Sequence, residues 1–313
     1  MKKFCLYGLM LVLLITSSLG LVGCSGVKDA DPSSEGKKTT PIKISSKEFT
    51  ENILLGKMLA KYLDYNGYPV VDETGLGATG IIRTALTSGQ IDAYWEYTGT
   101  VLIHFMEHEP VFESEESYNL VKEWDEKNNN IVWLDYAPLN NTYCIVARKD
   151  IMDKNEIKTI SDMAKFIREG DHLKFVANPE YFERPDGMKH VQGVYGFELP
   201  KEDKLLLDLG LFYDALKNNE ADLTVGFTTD GIIDALGFGV LKDDLKAFPV
   251  YNATPVFRKE IIDEYPELPE LVKKLSQLLD DKTAMELNAS VDVEGKNIDE
   301  VAENFLKEKG LIK

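Results

Sequence analysis

The stretch Ala85-Leu-Thr-Ser-Gly-Gln-Ile-Asp92-Ala-Tyr-Trp-Glu-Tyr97-Thr-Gly-Thr100 decides the fold. It reads as a helix end, a stop at Gly89, a short strand carrying Asp92, Tyr94, Trp95 and Tyr97, and a Thr/Gly turn. Aromatic residues at the C-terminal end of a strand, followed at once by small hydroxyl residues, suit the ligand crevice of an open α/β sheet. The unit recurs as Ala215-Leu-Lys-Asn-Asn-Glu-Ala-Asp222-Leu-Thr-Val-Gly-Phe227-Thr-Thr-Asp230. Leu86 and Leu216, Asp92 and Asp222, and Tyr97 and Phe227 are each 130 residues apart, with no gap between them. Two copies of a helix–turn–strand–aromatic–Thr unit predict two similar α/β lobes, each offering an aromatic side chain to a shared cleft.

At 313 residues the chain is long for one core and comfortable for two lobes. With 44% hydrophobic and 28% charged residues, its composition is that of a globular protein. A net charge of −18, from 53 acidic against 35 basic residues, argues against a nucleic-acid surface and against electrostatic docking on anionic lipid. It says nothing of the charge of a ligand, because a local site can depart from the mean field.

The N-terminus reads as a targeting segment. Met1-Lys-Lys3 is a basic start, and Leu6 to Leu19 is an apolar run too short for a good membrane span. The run ends in Leu21-Val-Gly-Cys24, which resembles the lipobox of bacterial lipoproteins. That resemblance implies removal of residues 1–23 and a lipid on the sulfur of Cys24. Residues 24–40, rich in Ser, Gly, Lys and Thr, then read as a flexible tether. Cys5 leaves with the signal and Cys24 is acylated, so Cys144 has no disulfide partner; its apolar neighbours predict a buried, inert thiol.

Strands and helices alternate through the rest of the chain. A strand is expected at Pro41–Ser46 with Lys47 in the turn after it, then a helix over Ile53–Leu63, a strand at Tyr68–Val71 and a glycine-rich turn at Gly75–Gly80. A helix is expected after Thr100 as far as about Glu107. Ala137–Val146 should cross into the second lobe, and Phe248–Val256 should cross back. Within that lobe Ser161-Asp162 is an N-cap candidate, Glu180–Gly187 a polar loop, and Leu205–Lys217 a helix. The predicted lobes are 41–142 with 252–313, and 143–251.

Several ordered motifs resemble one family: Lys47-Glu-Phe-Thr-Glu, Thr74-Gly-Leu-Gly, Trp95-Glu-Tyr-Thr-Gly-Thr, Asn141-Thr-Tyr, Arg184-Pro-Asp-Gly, Phe227-Thr-Thr-Asp-Gly and Tyr251-Asn-Ala-Thr-Pro. This is the substrate-binding lipoprotein of bacterial ABC transporters for quaternary ammonium osmoprotectants such as glycine betaine, carnitine and choline. The resemblance runs from about Ile42 to the C-terminus. It implies a two-lobed periplasmic-binding-protein fold of type II character, with ligand in the hinged cleft and delivery to membrane permease subunits. It further implies a monomeric body on the outer face of the cell membrane, with no cofactor, no metal and no enzymatic activity.

Residue by residue, the resemblance implies an aromatic cage of Tyr97, Tyr143, Phe227 and Tyr251. The physics agrees. A trimethylammonium group has no N–H to donate, whereas aromatic faces attract a cation with little desolvation cost, at roughly 0.5–2 kcal/mol per ring. Phe227 stands where the motif has Tyr in many relatives; it keeps the π face and loses the hydroxyl. The carboxylate end would fall to Lys47, Thr100 and Arg184, with Arg able to grip a carboxylate bidentately. Asn141 would line the rim or position Tyr143. These assignments favour a betaine over choline. Alone, each tyrosine is an ordinary core residue at a strand end, Lys47 a turn charge and Arg184 a loop brace; the joint order of the motifs is what singles them out.

Gly75-Leu-Gly77-Ala-Thr-Gly80 also fits a dinucleotide-binding glycine pattern, but no acidic residue lies at the end of a following strand about twenty residues on. The four histidines show no metal spacing, and no nucleophile elbow is present. Two rival roles are a receptor for another small amphiphile, such as an amino acid, and a protein-binding surface lipoprotein. The latter calls for an exposed apolar patch rather than a closable cleft.

Overall fold

The computed structural model describes residues 39–313. The expected signal segment, Cys24 and the tether as far as residue 38 lie outside the described residues.

Ten strands form two five-stranded sheets among these residues. In chain order they are β1 Ile42–Lys47, β2 Val70–Gly77, β3 Ala93–Tyr97, β4 Ile131–Trp133, β5 Tyr143–Ala147, β6 Phe175–Ala177, β7 Lys204–Leu206, β8 Leu223–Phe227, β9 Gly239–Leu241 and β10 Ala253–Arg258. The first sheet has the order β2-β1-β3-β10-β4 and the second β7-β6-β8-β5-β9. In each, one strand runs antiparallel to both neighbours: β10 in the first, β5 in the second. These are the two strands that immediately follow a crossing between sheets.

The repeat quoted above is the centre of both sheets. β3 and β8 occupy matching places, and the helices before them, Thr79–Thr87 and Phe212–Lys217, end 130 residues apart. Asp92 and Asp222 do the same work in each copy. The Asp92 carboxylate accepts from the Lys43 N–H at 2.9 Å, and that of Asp222 from the Lys174 N–H at 2.9 Å. Each aspartate thereby satisfies a backbone donor at the start of the neighbouring strand, where a free N–H would be costly.

Sheets covered on both faces are apolar along the whole strand, and all five residues of β3 are buried. Ala93, Trp95 and Tyr97 join one core with Leu55, Met58 and Leu59 of the helix Thr50–Tyr65. Tyr94, on the opposite face, packs with Ile82, Val101 and Trp133. After β10 the chain stays with the first sheet, adding Ile261, Leu268, Val272 and Phe305 to its core. A third core, around Phe175, Phe212 and Leu223, covers the second sheet. Cys144 belongs there; it is buried, and burial pushes its thiol far above the ordinary range, as its apolar neighbours predict.

The crossing segments lie side by side. Asn140 and Asn252 form an antiparallel bridge, the Tyr251 N–H donates to the Asn140 side chain at 2.7 Å, and the Thr142 hydroxyl donates to the Pro249 carbonyl at 2.7 Å.

Some local expectations fail for identifiable reasons. Lys47 closes β1 rather than standing in a turn. The glycine run is no simple turn: β2 continues to Gly77 through an irregularity in its register against β1, and Gly75, at φ +83°, takes a bond from its N–H to the Ser46 hydroxyl at 2.7 Å. Thr159, not Ser161, caps its helix, with Asp162 closing a reciprocal capping box. Leu205 and Leu206 lie in edge strand β7, and only Phe212–Lys217 of the expected helix is α-helical. Pro179–Glu183 is a short helix instead of loop, started by the Asn178 cap and proline at its first position. The segment Thr100–Phe105 is a π-helix, a form that often accompanies functional sites.

Candidate functional site

The strand ends of both sheets converge on one cavity. All eight residues singled out above line it: Lys47, Tyr97, Thr100, Asn141, Tyr143, Arg184, Phe227 and Tyr251. Lys47 and Tyr97 come from the ends of β1 and β3, Tyr143 and Phe227 from paired positions of β5 and β8. Tyr251 and Asn141 come from the two crossing segments.

The rings form a continuous run. From Tyr251 to Tyr143 the centroids are 5.3 Å apart, from Tyr143 to Phe227 5.3 Å, from Phe227 to Phe49 5.4 Å, and from Phe49 to Tyr97 6.1 Å. Phe49 was not among the expected residues. It links the ring of the first sheet to that of the second, and the available signal was its place two residues after Lys47 in the same motif.

Two of the tyrosine hydroxyls in the run donate to carboxylates. Tyr97 donates to Glu51 at 2.8 Å, and Tyr251 to Asp186 at 2.7 Å. Burial, then the adjacent carboxylate, keeps both phenols well above their ordinary range, so the rings stay neutral.

The cations flank the rings. Lys47 Nζ stands 5.2 Å from the Tyr97 centroid, and the Arg184 guanidinium carbon 5.9 Å from that of Tyr143. Both are paired: Lys47 with Glu96 at 2.6 Å, Arg184 bidentately with Asp186 at 2.7 and 2.6 Å and with Glu180 at 3.1 Å. Burial raises the Asp186 carboxyl, but the Arg184 charge and the hydrogen bonds from Arg184 and Tyr251 together outweigh it, and the group lies below its ordinary range. The sequence reading missed all three carboxylates as partners.

Glu51 is a second unforeseen group. It is buried with no cation paired to it among the described residues, and its carboxylate accepts from Tyr97, from Asn141 at 2.7 Å and from Asn288 at 3.3 Å. Burial dominates and raises its pKa despite these bonds and one from Thr229. Asn141 also reaches Thr229, beyond β8, at 3.0 Å. Glu51 and Asn141 thus tie residues on either side of the cleft to one polar cluster behind the rings.

Two matching sheets joined by two crossing segments, with an aromatic and polar cavity at their strand ends, define a two-lobed solute-binding protein of the periplasmic type. The comparisons narrow the class. Residues 40–308 match the family model described as the substrate binding domain of an ABC-type glycine betaine transport system, and the chain belongs to that family. It is 38% identical over 277 residues to a glycine-betaine-binding protein of Pseudomonas aeruginosa, covering 87% of this chain and 88% of the other. It is 34% identical over 281 residues to the glycine betaine-binding protein YehZ of Escherichia coli, covering 88% and 92%. A crystal structure described as a glycine betaine/carnitine/choline ABC transporter superposes with a TM-score of 0.69 at 27% identity, over 88% of this chain and 99% of that one.

Proposed function

We propose that this chain captures a quaternary ammonium osmoprotectant of the glycine betaine, carnitine or choline type outside the cytoplasm and hands it to ABC permease subunits. The observation that carries this reading is the run of five rings, Tyr251–Tyr143–Phe227–Phe49–Tyr97, flanked by Lys47 and Arg184. The rings suit a cation that cannot donate a hydrogen bond. Lys47, Thr100 and Arg184 form the end for a carboxylate, Asn141 braces the rim through Glu51, and Phe49 completes the cage. The lobes are bounded at 142/143 and 251/252, where the paired crossing segments act as the hinge. Cys24 carries the lipid that holds a monomeric body at the outer face of the membrane, and a Cys24→Ala change should release the protein from the membrane fraction or block its processing.

The test is a ratio. Removing a ring, as in Tyr97→Ala, should weaken glycine betaine and choline alike, by roughly five- to thirtyfold. Arg184→Ala should weaken glycine betaine far more than choline, because only the former loses a charge-assisted partner. Titration calorimetry on residues 25–313 reads both; an unchanged ratio in Arg184→Ala sinks the carboxylate assignment and leaves the cage standing.

A further inference from the structure

The two acids on Arg184 are not equivalent. Asp186 has no exposed side-chain surface, grips the guanidinium bidentately and is itself held by the Tyr251 hydroxyl. It is part of the frame. Glu180 sits on the cavity wall with 28% of its side chain exposed and makes one longer bond, 3.1 Å to Nη1. The Thr79 hydroxyl, on the helix that follows β2, and the Lys47 charge both favour the ionised form of the same carboxylate. Burial works against ionisation, yet Arg184, Thr79 and Lys47 together hold this carboxyl below its ordinary range. An ionised carboxylate of the protein therefore already occupies Arg184, one of the two cations assigned to the ligand's carboxylate, with Lys47 near enough to attract it.

We propose that Glu180 is a specificity-determining residue, filling the anion position of the cleft so that a ligand bringing its own carboxylate must displace it. The inference rests on the reading of Lys47 and Arg184 as the anion-binding end. The charges decide the direction. Lys47 and Arg184 already face Glu96, Asp186 and Glu180, two cations against three carboxylates. A betaine adds a fourth unless Glu180 swings away, and its exposed edge permits that. In moving, it gives up its bond to Arg184. A quaternary cation with a hydroxyl tail needs no displacement, and its O–H finds an acceptor in Glu180. Glu180 thus tilts the site towards hydroxyl-tailed ligands, against the bias of the two cations.

The experiment is calorimetric titration of glycine betaine and of choline into the parent body and into Glu180→Gln, with thermal midpoints to confirm folding. Gln keeps the shape and a neutral acceptor for Arg184 and Thr79. The betaine-to-choline affinity ratio should rise by about tenfold or more, mainly through tighter betaine binding. Glu180→Ala, which removes the competing group outright, should move the ratio the same way. A ratio that stays put or falls in both variants overturns the proposal. If Arg184→Ala shifts the ratio while neither Glu180 variant does, the proposal fails and the reading of the site survives. A parent that binds neither ligand overturns both.

Discussion

Asp230 lies beside the ring run, with no cation paired to it among the described residues. Its carboxylate accepts from the Tyr213 hydroxyl and from the Phe227 N–H at 2.9 Å, so it fixes the backbone of Phe227. Burial, reinforced by the nearby Glu51 and Asp292 carboxylates and opposed by those two bonds, pushes its pKa from 3.8 up to about 7. An acid whose folded pKa is raised binds its proton more tightly in the native state. Its stabilising contribution is therefore fully present below about pH 4 and lost as pH rises through about 7. Asp230→Asn, neutral and of the same shape, should remove that part of the pH dependence and raise stability at pH 8, on the order of 2 kcal/mol. Thermal unfolding of parent and variant from pH 4 to 8 reads the difference; parallel curves would mean that Asp230 is ionised throughout. At this scale the ring residues were legible, because aromatics at strand ends stand out and follow one another in a motif order. Glu51, Glu180 and Asp186 were not: the donors to Glu51, and Tyr251 on Asp186, lie far away in sequence, while Arg184, close to Glu180 and Asp186, is assigned to the ligand.

Among the elements, the returning segment shows how closely the site is built. A Cβ added to Gly99 would lie 2.5 Å from the Val250 carbonyl oxygen and 2.7 Å from two ring carbons of Tyr251. Glycine there lets the segment before β10 lie flat on the turn after β3, where the Asn252 N–H donates to the Thr98 hydroxyl at 3.1 Å. Gly99→Ala should displace Tyr251 and strain its bond to Asp186, costing about 1–3 kcal/mol of stability. Ligand affinity should fall with it. Calorimetry that finds a less stable variant with parental affinity would show that this approach does not position Tyr251. The repeat at an offset of 130 exposed the matching centres of both sheets because helix, stop, aspartate and aromatic recur without a gap. A second echo, Arg148-Lys-Asp-Ile and Arg258-Lys-Glu-Ile, escaped notice. It caps β5 and β10, and the Arg148 and Arg258 N–H groups donate to the Asp222 and Asp92 carbonyls at 3.1 and 2.9 Å. Because these strands are the ones that cross between sheets, their offset is 110 residues rather than 130, and no single alignment of the halves shows both echoes. The β7 strand was misread for a different reason: three residues at a sheet edge are too few to show a period of two, and the leucines around them mimic a helical stripe.

At the scale of the whole molecule, contacts outside the ring run also join the two halves. Gly231, just beyond β8, faces the helix Asp281–Asp292, whose Ala284 packs into the core of the first sheet. A Cβ at Gly231 would stand 2.7 Å from the Ala289 Cβ and 2.7 Å from the Met285 carbonyl oxygen. Beside it, the Asn288 side chain donates to the Thr229 carbonyl at 3.0 Å. These contacts join elements of the two halves and touch none of the rings. If ligand binds the closed form, the apparent affinity scales with the fraction of molecules able to close. Gly231→Ala penalises the approach itself. It should weaken glycine betaine, carnitine and choline by one common factor, on the order of tenfold, whatever their tails. Solution scattering should show the parent contracting with saturating ligand, and the variant contracting only at correspondingly higher ligand concentration. A variant that loses one ligand and keeps another would place Gly231 in specificity rather than closure. A variant with parental affinity for all three would show that the Gly231–Ala289 contact is not made in the ligand-bound molecule, and the hinge would have to close about some other line.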